Sequence, residues 1–110
     1  MGKLYLTHLG GLNVYCCTKC RAHLANKEEI ISKQFQGRSG KAYLFASVVN
    51  VCLGDPEDRV FNSGEYNVRD VICLACLSII GWRYEKSYEE TQAYKEGKYI
   101  VEKAKILKCK

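Results

Sequence analysis

Apolar side chains fall along the chain in short β-prone runs divided by turn-forming residues, the pattern of strands rather than of long amphipathic helices. Leu4 to Leu6 and Val14 to Cys16 read as short strands on either side of a Gly10-Gly11 turn. Asn26 followed by Glu29 has the form of a capping box over one helical turn that ends near Ile31. After a turn at Gly37 to Gly40 comes the longest β-rich run, Tyr43 to Val51, with Tyr43, Phe45, Val49 and Val51 expected on one face. Gly54 to Asp58 and Asn62-Ser63-Gly64 read as turns, Tyr66 to Val71 and Ile79 to Tyr84 as strands. Ser87 with Glu90 is placed to cap a short helical segment before Gly97, and Tyr99 to Leu107 closes the chain as a strand. No linker, repeat or low-complexity stretch interrupts this order, so residues 1–110 are expected to form one β-rich domain with short helical turns.

Composition supports a folded domain. The chain has 110 residues, 47% hydrophobic and 26% charged, values that exclude wholesale disorder. No run of 18 apolar residues occurs, so no membrane span is expected. The first eight residues hold no apolar stretch of signal-peptide length, and Leu6 stands where a myristoylation signal requires Ser or Thr. The expectation is an intracellular monomer in which thiols stay reduced. Seven cysteines in such a chain are therefore the outlying number.

Four of them form two C-x-x-C units, Cys17-Thr18-Lys19-Cys20 and Cys73-Leu74-Ala75-Cys76. Two thiolates on one tight turn can share a centre, and two such turns complete a tetrahedron suited to Zn²⁺. The rivals are buried free thiols and a redox pair. A redox C-x-x-C opens a helix after a strand, and neither unit here opens a convincing amphipathic helix. One structural Zn²⁺ on Cys17, Cys20, Cys73 and Cys76 is the reading adopted. Cys16 offers an alternative spacing to Cys20, but the flanks of the two units match best with Cys17 aligned to Cys73. Cys16, Cys52 and Cys109 are left as packing or surface thiols, and His23 as a turn residue able to substitute as a ligand.

Charge then narrows the partners. The formal net charge is +5, and residues 93–110 hold six lysines against two glutamates. Four thiolates with one Zn²⁺ lower the total to about +3. The lysines at 103, 105 and 108 are expected on the solvated face of an edge strand, where lysine blocks strand-to-strand association. A nucleic-acid role through Lys98, Lys103 and Lys105 is the alternative this leaves.

Several motifs carry a resemblance. Ile31-Ser32-Lys33 through Phe35-Gln36-Gly37, Gly40-Lys41-Ala42-Tyr43-Leu44-Phe45, Val48-Val49-Asn50 and Glu57-Asp58-Arg59-Val60 look like the Yippee and Yippee-like family. So do Gly81-Trp82, Tyr84-Glu85, Gln92 and Tyr94-Lys95-Glu96-Gly97-Lys98, all in family order around both cysteine pairs. The resemblance implies a β-tent fold, two antiparallel sheets clasped by one four-cysteine zinc site. It is shared with the thalidomide-binding domain of cereblon, methionine-R-sulfoxide reductases and RNA-sensing helicase domains. In the reductases a catalytic cysteine follows an Arg-Tyr or Lys-Tyr pair; here Lys98-Tyr99 is followed by Ile100, so that nucleophile is missing. No enzyme activity is therefore expected. In the cereblon domain three tryptophans box a cyclic imide; Trp82 matches one, while Asn62 and Val68 fall where the other two would stand. The expected groove has altered specificity and is built near Trp82, Tyr84, Tyr43, Phe45, Phe61 and Tyr66. The implied function is a non-catalytic zinc module that binds a protein partner or peptide. The family resemblance implies nuclear, cytoplasmic or centrosome-associated regulation, including ubiquitin-ligase and cell-cycle assemblies; RNA binding is the alternative.

Overall fold

The computed structural model describes residues 5–109, so Leu4 and the rest of the N-terminal tetrapeptide lie outside it. Among the described residues ten strands form: β1 Val14–Cys17, β2 His23–Asn26, β3 Ile30–Gly37, β4 Gly40–Phe45, β5 Val51–Leu53, β6 Glu57–Phe61, β7 Gly64–Cys73, β8 Ile79–Ser87, β9 Tyr99–Glu102 and β10 Ile106–Lys108. Three short 3₁₀ turns, Lys27–Glu29, Glu90–Lys95 and Lys103–Lys105, complete the regular structure. Two antiparallel sheets result. The smaller has the order β10-β1-β2, and the larger runs β3-β4-β9-β8-β7-β5, with β6 also paired to β7. β7 is long enough for two strands to share its outer edge: Val71 to Cys73 meets β5, and Gly64 to Val68 meets β6.

The larger sheet buries side chains on both faces, which the burial of all four residues from Ala42 to Phe45 records. On the face toward the small sheet, Tyr43, Phe45, Val71, Cys73, Ile80 and Val101 pack with Leu24 and Ile106. On the opposite face Ala42, Leu44, Tyr66, Val68, Trp82, Tyr84 and Ile100 form a second core. A period of two assigns alternate residues of each strand to these two cores. The register shift of β7 against β8 between Val71 and Ile72 lets Ile80 and Trp82, two residues apart, serve opposite faces. Gly81 sits at this shift, where an added Cβ would stand 1.8 Å from the Ile100 carbonyl oxygen. Only glycine admits the close approach of β8 to β9.

Several expectations change. The run from Tyr43 to Val51 is broken after Phe45, and Asn50 turns the chain at a φ of 59°. Its side chain ties the turn down, donating to the carbonyls of His23 and Thr7 and accepting the Thr7 N–H. Val48 and Val51 still reach the core that holds Tyr43 and Phe45. Glu57 to Phe61 is a strand, where a turn was expected as far as residue 58. Residues 5–10 hold no strand. The closing run is split: β9 ends at Glu102, and Lys103–Lys105 carries the chain to β10 in the other sheet. The single edge strand expected for the lysines is thus absent. The helical turns form at Lys27–Glu29 and Glu90–Lys95, but neither has a side-chain cap. Glu29 instead accepts from Ser47, and Ser87 bonds the backbone of Glu89.

Candidate metal centre and aromatic cavity

Both cysteine pairs sit on the same local structure. Cys17 ends β1 and Cys73 ends β7, and each is followed by a turn carrying the second cysteine. In the first, the Arg21 N–H donates to the Cys17 carbonyl and the Cys17 N–H to the Ala22 carbonyl; in the second, Leu77 donates to Cys73 and Cys73 to Ser78. Arg21 and Leu77 have nearly equal positive φ values, 65° and 63°. One knuckle is therefore a copy of the other, one on each sheet. The four sulfurs lie within 4.8 Å of one another, with Cys17 and Cys76 at 3.6 Å and Cys20 and Cys73 at 3.5 Å. Tetrahedral ligands at about 2.3 Å from one Zn²⁺ stand about 3.8 Å apart, so this donor set fits the ion. Bound there, Zn²⁺ supplies a cross-link between the sheets and charge balance for four thiolates.

The surroundings divide the four thiols. Burial pushes Cys73 up to about 12 and raises Cys20. Hydrogen bonds from the Ser78 hydroxyl and N–H draw Cys76 down to about 6. The remaining sulfur groups stand apart from the cluster. Cys16 points away, raised to about 12 by burial and by the neighbouring Cys109 thiol, and Cys52 is half-buried on β5. His23 is also occupied elsewhere: its Nδ1 accepts the Leu9 N–H at 2.9 Å, and its ring lies 4.3 Å from that of His8.

The aromatic residues do not form one group. Phe61 stacks on Trp82 at 5.1 Å with 18° between planes, and Tyr84 stands edge-on to both. Tyr66 lies beneath, fully buried and 4.8 Å from Tyr84. These four belong to the outer core of the large sheet. Tyr43 and Phe45 do not join them, because odd-numbered positions of β4 face the other way, toward Tyr15 in the inter-sheet core. A cavity of about 480 Å³ opens against Phe61, Trp82 and Tyr84, and Phe35, Ser63 and Lys95 complete much of its wall. Burial pushes the Tyr84 phenol up to about 12. Phe35, Ser63 and Lys95 went unnoticed in the sequence as site residues. Lys95 read as one of six C-terminal lysines and as part of the motif from Tyr94 to Lys98, and neither reading marks it as buried.

Comparison with known proteins agrees with this architecture. Residues 13–110 match the family model described as Yippee zinc-binding/DNA-binding/Mis18, centromere assembly. A yippee-like protein of Arabidopsis thaliana is 48% identical over 107 residues, 97% of this chain and 83% of its own length. Yippee-like 4 of Rattus norvegicus is 51% identical over 94 residues, 86% of this chain and 74% of its own. The crystal structure of the Mis18 "Yippee-like" domain superposes with a TM-score of 0.68 at 17% identity, covering 88% of this chain and 94% of that one. With a four-cysteine cluster, two antiparallel sheets and these relatives, the chain belongs to the Yippee–Mis18 family.

Proposed function

We propose that the protein is a non-catalytic, zinc-stabilised module that recognises a protein partner through the cavity beside Trp82. The observation that carries this reading is the cavity itself, with Phe61 stacked on Trp82 in its wall. Val60, 78% exposed at its rim, adds apolar surface. Aromatic anchors around a concave apolar site are the usual centres of partner recognition. The metal cluster is remote in role: its four protein ligands leave no open position for a substrate. The family resemblance favours a regulatory assembly in the nucleus or cytoplasm as the setting.

Affinity capture with the wild type and with Phe61→Ala and Trp82→Ala, each first shown folded by circular dichroism, tests the reading. Loss of the same set of partners in both variants is expected. Identical partners for all three chains would refute it. The family description also names DNA binding, which favours a second reading. Lys41 and Lys103 flank a shallow depression at Ser39 and supply positive charge for it. A steep fall of affinity for duplex DNA with rising salt would support that reading, and no binding at low salt would end it.

A further inference from the structure

Lys95 is 4% exposed, and its ammonium is enclosed by four aromatic rings. Their centroids, those of Phe35, Tyr66, Tyr84 and Tyr94, lie 5.1–5.8 Å from Nζ. Two of its three N–H groups are used, donating to the Ser63 hydroxyl at 3.1 Å and the Tyr66 hydroxyl at 3.0 Å. Among the described residues it makes no ion pair. A lysine this buried is normally matched by a carboxylate, and here it borders the cavity instead.

Two further features border this site. Trp82, 5% exposed in the wall of the same cavity, has its enclosed indole N–H beside the Tyr84 hydroxyl rather than a carboxylate. On the other side of the Phe61–Trp82 pair a second hollow of about 250 Å³ is bordered by Arg38 and by Arg59, whose guanidinium is already bonded to Glu57 and Asp70. Neither hollow has an acidic residue in its lining. Lys95 and flat apolar walls thus meet at the cavity with no carboxylate of the protein's own in its lining.

We propose that this cavity takes a carboxylate of a peptide partner, with the oxygens on Lys95 Nζ and an adjoining apolar side chain against Phe61 and Trp82. The inference rests on the protein-recognition reading above and adds the chemistry of what is recognised. A carboxylate supplies the missing counter-charge, and charge-assisted hydrogen bonds in a desolvated pocket are the strong ones. The group is either an acidic side chain or a chain terminus, and both present the same two oxygens.

Trp82 is the single tryptophan, so its fluorescence reports occupancy without a label. Three dipeptides are titrated into the zinc-loaded chain: acetyl-Phe-Asp-amide, its neutral counterpart acetyl-Phe-Asn-amide, and acetyl-Asn-Phe with a free terminus. At least one carboxylate peptide is expected to bind roughly tenfold or more tighter than the neutral one, and which one does so identifies the source. Lys95→Met should erase the preference, and Ser63→Ala, at an exposed position, should reduce it while the chain stays folded. Equal affinity for neutral and charged peptides, no response to any of them, or a preference that survives Lys95→Met would overturn the proposal. The comparison on the wild-type chain stands without any variant. Binding of the neutral peptide alone would leave the protein-recognition reading intact; partner capture indifferent to Phe61 and Trp82 would fail that reading whatever the dipeptides do.

Discussion

Arg21 and Leu77 hold the left-handed backbone that closes each cysteine knuckle. A side chain in that region costs roughly 1–2 kcal/mol, and the two hydrogen bonds of each turn hold it there. Leu77 is 69% exposed, so little packing is lost on removing its side chain. Leu77→Gly is therefore expected to stabilise the zinc-loaded protein, by up to about 1 kcal/mol after glycine's greater unfolded freedom is subtracted. A higher urea midpoint at unchanged slope is the measurement, and a lower midpoint would show that Leu77 makes contacts the φ argument neglects. Tyr84 gives a pH test of the cavity wall. Its folded pKa is raised from 10.0 to about 12, chiefly by burial. The folded state thus favours the neutral phenol. Its contribution to stability is complete below about pH 10 and declines as the pH rises from 10 toward 12. Tyr15 and Tyr88 are raised as well, so alkaline absorbance titration should show a late phase of several tyrosines, and Tyr84→Phe should lower its amplitude by one phenol.

At the scale of elements, the approach of β8 to β9 depends on one residue. A methyl group at Gly81 would meet the Ile100 carbonyl at 1.8 Å, and backbone cannot yield as a flexible side chain can. Gly81→Ala should cost about 3 kcal/mol or more, read as a large fall in thermal midpoint; a change within experimental error would mean the two strands separate without penalty. The requirement was hidden in the sequence, where Gly81 is one glycine among nine. What alternation and turn chemistry made legible is the local strand content: β1, the body of β7 and the start of β8 follow directly from it. Where the chain leaves a sheet was not legible. Residues 99–107 read as one strand because the short 3₁₀ turn at Lys103–Lys105 contains no glycine or proline to mark it. Similarly, the turn of Tyr43 and Phe45 away from Trp82 was not legible because both faces of β4 are buried. A strand buried on both sides has no polar face to say which neighbours each residue meets. The cysteine spacing needed no such knowledge, so the metal cluster was the part of the site most readable in advance. Lys95 was the least, since its solvation depends wholly on distant residues such as Phe35 and Tyr66.

For the whole molecule the decisive feature is how the two sheets are joined. The small sheet contributes Cys17 and Cys20, the large one Cys73 and Cys76. Beneath them Leu24, Phe45, Ile80 and Ile106 form the core that both sheets cover, and three short strands bury too little to stand alone. A structural zinc site in a small domain contributes on the order of 10 kcal/mol of apparent binding energy at neutral pH, comparable with the whole stability of a domain. Removing the metal also leaves four thiols clustered within 4.8 Å, with Cys73 protonated at neutral pH because burial holds it at about 12. Chelation, or Cys73→Ser, should therefore release the small sheet and most of the cooperative fold. The expected signs are loss of dispersed amide signals in NMR and exposure of Trp82 in fluorescence. Cys109→Ser, which alters a thiol outside the cluster, should leave both unchanged. Re-adding Zn²⁺ to the chelated wild type should restore the fold and release protons, and the uptake should weaken as pH falls because protons compete for the same sulfurs. A metal-free chain that keeps its dispersed spectrum would show that the sheets hold together by their apolar core alone.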